Sequence, residues 1–463
     1  MVEKFIDILI NQILGQAPFL MGIIVFIGYL LLGRGLSTAI TGFIKASVGF
    51  MILQVGTGGL TSTFGPILDS FREKFNIDGA IMDSYVALAA ANEGLGSMVA
   101  SVGYTLVIGF AWNIILVALS KYTKIRTLQV TGHVMFVQSS ILLWMVYYWL
   151  GTPDLVTVVL TGILIGTYWS VFSNLTLDIT NEVTGGANFA IDHQQMFGLW
   201  LTSKIAPKIG NKEKSLDNLK FPKWLEMFND NIVASTILMT VFFGTIMAMI
   251  GPSYFDTNLS FPLFIYLTTA KFAVYLSIIL YGVRMFVNEL VNSFQGISNK
   301  ILKNSAPAVD IATIYGFGHP NATLLGFTAG AIGQVIGLVL LLITNSPVFL
   351  ILGFIPMFFD NAGIAVYANH YGGIRAAIIL PFLSGILQVT LGAFTYILSG
   401  MSGGVMANFD WVTVIPGFML VMKYSGVIGT IIMVVLLLMI PQLQDKRRRQ
   451  AEANAVALQA EQE

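Results

Sequence analysis

Cysteine is absent from all 463 residues, which removes disulfides, thiolate metal sites and cysteine nucleophiles. Charge is scarce. Only 10% of residues are Asp, Glu, Lys or Arg, against about 25% in soluble domains. The 24 basic and 24 acidic residues cancel, and no basic arm or stripe suits nucleic acid. No Walker A sequence occurs, so an ATPase subunit is excluded. A voltage sensor's Arg spacing and a TVGYG filter are missing, as are HExxH and Cys clusters for a catalytic metal. The first block lacks a basic n-region and a small-residue cleavage site, so no signal peptide is expected. Neither a cofactor nor a catalytic residue is expected.

What is present comes in long apolar blocks. The chain is 56% hydrophobic, with a mean hydropathy of +0.78. Roughly 20 apolar residues cross the hydrocarbon layer, and only helices or closed barrels satisfy a lipid-exposed backbone. The fold class is therefore read as all-α and polytopic, with the 46 Gly suiting close helix packing and broken helices. About eleven spans follow: Pro18–Leu32, Leu36–Leu60, Ser97–Leu119, Thr127–Leu150, Leu155–Phe172, Asn231–Ile250, Phe261–Arg284, Ala322–Ile343, Phe349–Tyr367, Ile374–Leu398 and Val412–Ile440. An amphipathic lead-in from Phe5 precedes the first.

Lys446, Arg447, Arg448 and Arg449 place the tail in the cytoplasm by the positive-inside rule. The loop Lys204–Lys223, with six Lys, lies six spans earlier and so on the same side, as do Lys121, Lys124 and Arg126. With eleven spans the N-terminus is external. Arg72 and Lys74 run against the rule, offset in part by Asp69, Glu73 and Asp78. Asp217–Met227 reads as a short amphipathic element, and Ala451–Glu463 as a polar tail.

The chain also repeats. Met135-Phe136 recurs at Met357-Phe358, a shift of 222; Lys45 and Lys271 differ by 226, Asp83 and Asp310 by 227, Gly103 and Gly326 by 223. This divides the chain into five spans, five spans and a last helix. An odd number per half predicts inverted repeats.

Three stretches are too polar or too short to span: Gly79–Asn92, Gly185–Leu199 and Ser305–Gly318. Such segments survive at membrane depth only where protein buries them or they line a cavity. They are expected to be half-helices or re-entrant hairpins.

Candidate site residues concentrate there and in TGHVMFVQ at 131–138. His133, Phe136 and Val137 share a helix face, flanked by Gln138; the reading is a ligand site or a polar contact between helices. The run Asp192, His193, Gln194, Gln195 offers donors and acceptors suited to a polyhydroxylated ligand, or else a hairpin tip in water. Asp310, with its repeat mate in Asp83-Ser84-Tyr85, is either a ligand group or a helix cap. An ionised Asp at the bilayer centre costs about 2.5–3.5 kcal/mol on insertion scales. Asp360 and Asn361 are secondary candidates.

Five long motifs carry a resemblance: TGHVMFVQ, EVTGGANFAIDHQQMF, WLEMFNDNIVAS, VRMFVNELVNSFQGIS and GFIPMFFDNAGIAVYANHYGG. They are similar to the ascorbate-type IIC permeases of the bacterial phosphotransferase system, over nearly the whole chain. The resemblance implies a homodimeric inner-membrane protein that translocates L-ascorbate or a related sugar acid. A separate IIB protein, charged through IIA, phosphorylates the sugar. It also implies a V-shaped dimerisation domain (1–78 and 231–304) and a core domain (79–203 and 305–411). A cytoplasmic loop (204–230) contacting IIB, a last helix (412–440) and a tail (441–463) complete the chain.

The implied substrate contacts are Ser84, Tyr85, the segment His133, Val134, Met135, Phe136, Val137, then His193, Gln194 and Asp310, with no metal. Ser84 is Thr in some relatives. Val137 is Gln in some, and a valine side chain cannot hydrogen-bond. No Arg is placed to compensate an anionic substrate, so dipoles and neutral donors are expected to suffice. The alternative from the same features is a proton-coupled secondary transporter of an organic anion; a non-transporting sensor is a third reading.

Overall fold

The computed structural model describes residues 17–75, 78–214, 216, 227–228, 230–302 and 305–460. The expected lead-in from Phe5, almost all of the Asp217–Met227 element, and the last three residues lie outside that set. Among the described residues, nine helices are long and apolar enough to cross a membrane. All eleven expected spans are accounted for. The first is the shorter apolar helix Met21–Leu31, and the ninth and tenth share Pro356–Ser399. Gly373 divides that stretch: its φ of 65° breaks the helical path, a backbone state that glycine adopts without steric cost.

The long helices are α1 (Ala17–Leu31), α2 (Leu36–Phe75), α3 (Ser84–Leu95), α4 (Ser101–Ala118), α5 (Gly132–Leu150), α6 (Asp154–Thr184) and α7 (Met196–Ile209) in the first half. The second half holds α8 (Asn231–Ile250), α9 (Phe261–Ile301), the single turn α10 (Ala312–Tyr315), α11 (Pro320–Ile343), α12 (Asn361–Ser399) and α13 (Ile415–Ala460). Helices α1, α2, α8 and α9 pack chiefly on one another, while α11 packs on α12, α4 on α6, and α7 on α12. Small residues permit close crossings: the backbone of Gly109 on α4 lies where a side chain at Gly166 of α6 would stand.

The polar stretches become strands that run into helix starts. Among the described residues six short strands occur: β1 (Asp78–Met82), β2 (Thr127–Gln129), β3 (Ala190–Ile191), β4 (Ala306–Val309), β5 (Val348–Leu352) and β6 (Gly404–Val405). They form two parallel three-stranded sheets, ordered β5-β1-β6 and β2-β4-β3. The register pairs Ile81 with Ile351 and Gly404, and Ala308 with Gln129 and Ala190. Each sheet takes its middle strand from one half of the chain and both outer strands from the other. Exchanging the halves (β1 for β4, β2 for β5, β3 for β6) turns one sheet into the other. The sheets satisfy backbone groups that would otherwise be orphaned away from water.

Candidate functional site

A cavity of about 270 Å³ opens where these strand-to-helix junctions meet. The first half of the chain lines it with Ser84 and Tyr85 at the start of α3, His133, Val134 and Val137 on the first turns of α5, and His193 and Gln194 just before α7. The second half brings Asp310 and Ala312 at α10, and Ile355 and Phe359 ahead of α12. One further lining residue, Arg284, comes from α9. The starts of α3, α5 and α7 all lie at this cavity. Helix N-termini carry free N–H groups and about half a positive charge each, so the fold aims polar, electropositive backbone at a space within the bundle.

His133 and Asp310 face each other across the two halves, with Nε2 3.0 Å from Oδ2. The other carboxylate oxygen accepts the backbone N–H of Ala312 at 2.8 Å. Both readings of Asp310, cap and cavity group, thus hold at once. The two side chains keep 26% and 28% exposure, enough for a ligand to reach them.

His193 is held differently. Its Nδ1 is 2.5 Å from the Gln195 side-chain oxygen. The Gln195 amide nitrogen donates to the Phe359 carbonyl at 3.1 Å, so the oxygen is the end that faces the imidazole, and Nδ1 must donate. The neutral ring then offers Nε2 as an acceptor. Phe359 stacks beneath it at 6.0 Å between ring centres. Ser84 spends its hydroxyl proton on the Asn408 side chain at 2.7 Å, leaving its oxygen lone pairs for a ligand. Asp83 is an N-cap: it accepts the Tyr85 N–H at 2.9 Å and, through its other oxygen, that of Ile355 at 3.4 Å.

Several residues singled out in the sequence stand behind the cavity wall. Met135 and Phe136 are buried, and Phe136 packs between Phe50 and Phe286 at 5.5 and 5.0 Å. Gln138 accepts the indole N–H of Trp169 at 2.5 Å. Gln195 orients His193. Asp360 accepts from Asn408, from the Phe409 N–H and from Gln388, and Asn361 donates to the Met357 carbonyl and to Gln388. Val137 does line the cavity, with an apolar surface only.

The expectation that no Arg is placed near an anion is overturned by Arg284. The signal was present: an arginine closes the expected span Phe261–Arg284, a residue that is rare at membrane depth and turns toward protein or water. Sequence spacing could not say which cavity it faces. Ile355 and Phe359 were equally hidden, since an apolar residue near a helix start reads as core.

Over residues 12–413 the chain matches the family described as PTS system sugar-specific permease component (EIIC-GAT). It is also similar to a protein of Mycoplasma pneumoniae named ascorbate-specific PTS system EIIC component. The two are 34% identical over 433 residues, covering 83% of this chain and 66% of that protein. The chain thus spans a little under two thirds of that relative's length.

Proposed function

Because this chain belongs to the family of phosphotransferase-system sugar-specific permease components, we propose that it is a multi-pass permease (IIC component) for L-ascorbate or a related sugar acid. Transport is coupled to phosphorylation of the sugar by a separate IIB protein, itself charged through IIA. The observation that carries this reading is the cavity in which His133 and Asp310 meet from the two halves of the chain. The name of the Mycoplasma pneumoniae relative points the same way.

The chemistry fits such a substrate. Ascorbate at neutral pH is a flat enolate anion carrying several hydroxyls. Donors for the enolate are His133, the Gln194 amide and the N–H groups at the helix starts. Acceptors for hydroxyl protons are Asp310, the Nε2 of His193 and the Ser84 oxygen. Substrate contacts are accordingly assigned to Ser84, Tyr85, His133, Val134, Val137, His193, Gln194 and Asp310, with Met135 and Phe136 shaping the wall from behind.

The separate packing of α1, α2, α8 and α9 supports a V-shaped unit (1–78 and 231–304) that makes the homodimer. The remaining sheet-bearing segments (79–203 and 305–411) then form the core that moves. The swapped composition of the two sheets supports an inverted repeat. The N-terminus is placed outside the bacterial inner membrane and the basic tail inside. The loop 204–230, rich in Lys, is assigned to IIB contact on the cytoplasmic face.

The test is binding and uptake with the full chain. Purified protein is expected to bind ascorbate in calorimetry, and vesicle uptake is expected to require phosphoenolpyruvate and the soluble phosphotransferase proteins. Removing residues 217–226 is expected to leave binding intact and stop that uptake. Uptake that needs none of those proteins and collapses with a protonophore would replace this reading with proton-coupled transport. Absence of ascorbate binding would remove the substrate assignment, and full uptake by the shortened chain would remove the loop assignment.

A further inference from the structure

We propose that Arg284 is the fixed positive charge that selects an anionic substrate, delivered to the cavity by α9 and not by the segments that build its walls. The inference rests on the substrate reading above and adds to it the source of charge recognition.

Arg284 is the cavity-lining residue that α9 contributes. That helix packs mainly with α1, α2 and α8. The other lining residues named above come from the strand-to-helix junctions and the helix turns that follow them. Arg284 is exposed and lines the same cavity as Tyr85. Among the described residues it forms no ion pair. The carboxylate that could take it on its own helix, Glu289, is engaged by the Tyr29 hydroxyl at 2.8 Å and by Lys45 at 3.1 Å. Asp310 is engaged by His133. An arginine inside a span without a carboxylate partner needs water or a ligand anion to face.

The charge count makes the need concrete. If Arg284 were removed, the cavity lining would keep the Asp310 carboxylate and hold no guanidinium or ammonium group. An enolate would then enter beside a carboxylate of the same sign, and like charges at close range in protein repel strongly. Arg284 supplies a positive guanidinium, and its planar fork matches two neighbouring oxygens on a flat ring. A ligand gripped by both His133 and Arg284 also joins the core segments to α9. The bound anion is therefore held between the two groups of helices.

The experiment compares ascorbate with dehydroascorbate, which keeps the ring and lacks the enolate charge. Binding of both is measured to detergent-purified wild type, Arg284→Gln and Arg284→Lys. Arg284→Gln is expected to weaken ascorbate by about tenfold or more, and dehydroascorbate by less than about threefold. Arg284→Lys keeps the charge without the fork, and covers the case in which the glutamine variant does not assemble. It is expected to fall between wild type and Arg284→Gln for ascorbate and to match wild type for dehydroascorbate. Equal losses for both ligands in either variant, or unchanged ascorbate binding by Arg284→Gln, would overturn the proposal. If wild type binds ascorbate and Arg284→Gln is unaffected, only the role of Arg284 falls. If wild type binds no ascorbate, the substrate reading falls and takes this inference with it.

Discussion

His133→Ala is expected to weaken ascorbate binding at least about a hundredfold, and adding Asp310→Ala is expected to recover part of that loss. Two effects of the single change have the same sign. It removes a donor that faces the enolate, and a hydrogen bond to a charged group contributes about 1.5–3 kcal/mol. It also strips the Asp310 carboxylate of the Nε2–H now 3.0 Å away, leaving a bare negative charge in the cavity. Two like charges roughly 6 Å apart repel by about 3 kcal/mol at an effective dielectric constant near 20. Each 1.4 kcal/mol is about tenfold in affinity, so a hundredfold is the conservative end. Asp310→Ala in the same chain removes the bare charge but not the missing donor, so the double variant is expected to bind more tightly than His133→Ala alone. Isothermal calorimetry on the four proteins closes the cycle. Retained affinity in His133→Ala, or a double variant weaker than the sum of the singles, would separate the pair from the ligand.

Asp360→Ala carries the largest expected loss of stability. The carboxylate is fully buried and accepts three hydrogen bonds: from the Asn408 amide at 2.7 Å, the Phe409 N–H at 2.6 Å and the Gln388 amide at 3.2 Å. Alanine leaves the Asn408 amide and the Phe409 N–H without this acceptor in a place water does not reach, while the Gln388 amide keeps the Pro356 carbonyl at 3.3 Å. Each orphaned group costs about 1–3 kcal/mol, so the sum is on the order of 4 kcal/mol. The damage then reaches the cavity by one step. Asn408 also accepts the Ser84 hydroxyl at 2.7 Å, so an unheld Asn408 frees Ser84 to rotate. A clear drop in the melting temperature of the detergent-solubilised protein is expected, with weakened ascorbate binding in the fraction that remains folded. Asp360→Asn keeps one acceptor but turns an NH₂ toward a donor, and is expected to fall between. Melting of Asp360→Ala at the wild-type temperature would show that the network bears no weight.

These two residues mark how much was legible in the chain. The spans were readable because hydropathy over twenty residues is a strong signal, and each of the eleven overlaps a helix, although Thr127–Leu150 and Phe349–Tyr367 open on strands β2 and β5. So was the division of Pro356–Ser399: the expected spans Phe349–Tyr367 and Ile374–Leu398 leave 368–373 between them, and the helical path breaks at Gly373. The polar segments were readable as special because polar groups are costly at membrane depth. Their strands were not, since two to five residues are too few to show an alternating pattern, and their partners lie more than 100 residues away. His133, His193 and Asp310 stood out as rare polar residues in apolar surroundings. Asp360 stood out by the same criterion yet serves the cavity only through Asn408. Composition reports that a polar group is present and does not report which wall it faces.

The two small sheets bear on how the molecule is made and how it can come apart. Translation completes β2 and β3 long before β4, the strand that must lie between them. Until residue 306 emerges, the first half holds two strands with a vacant place and a third, β1, with neither neighbour. Neither half can be released as a finished unit, and a gene cut at its midpoint would yield fragments that depend on each other for their innermost backbone bonds. The same weave sets the seam of any rigid-body motion. It cannot run between the first and second halves of the chain, because that line passes through both sheets.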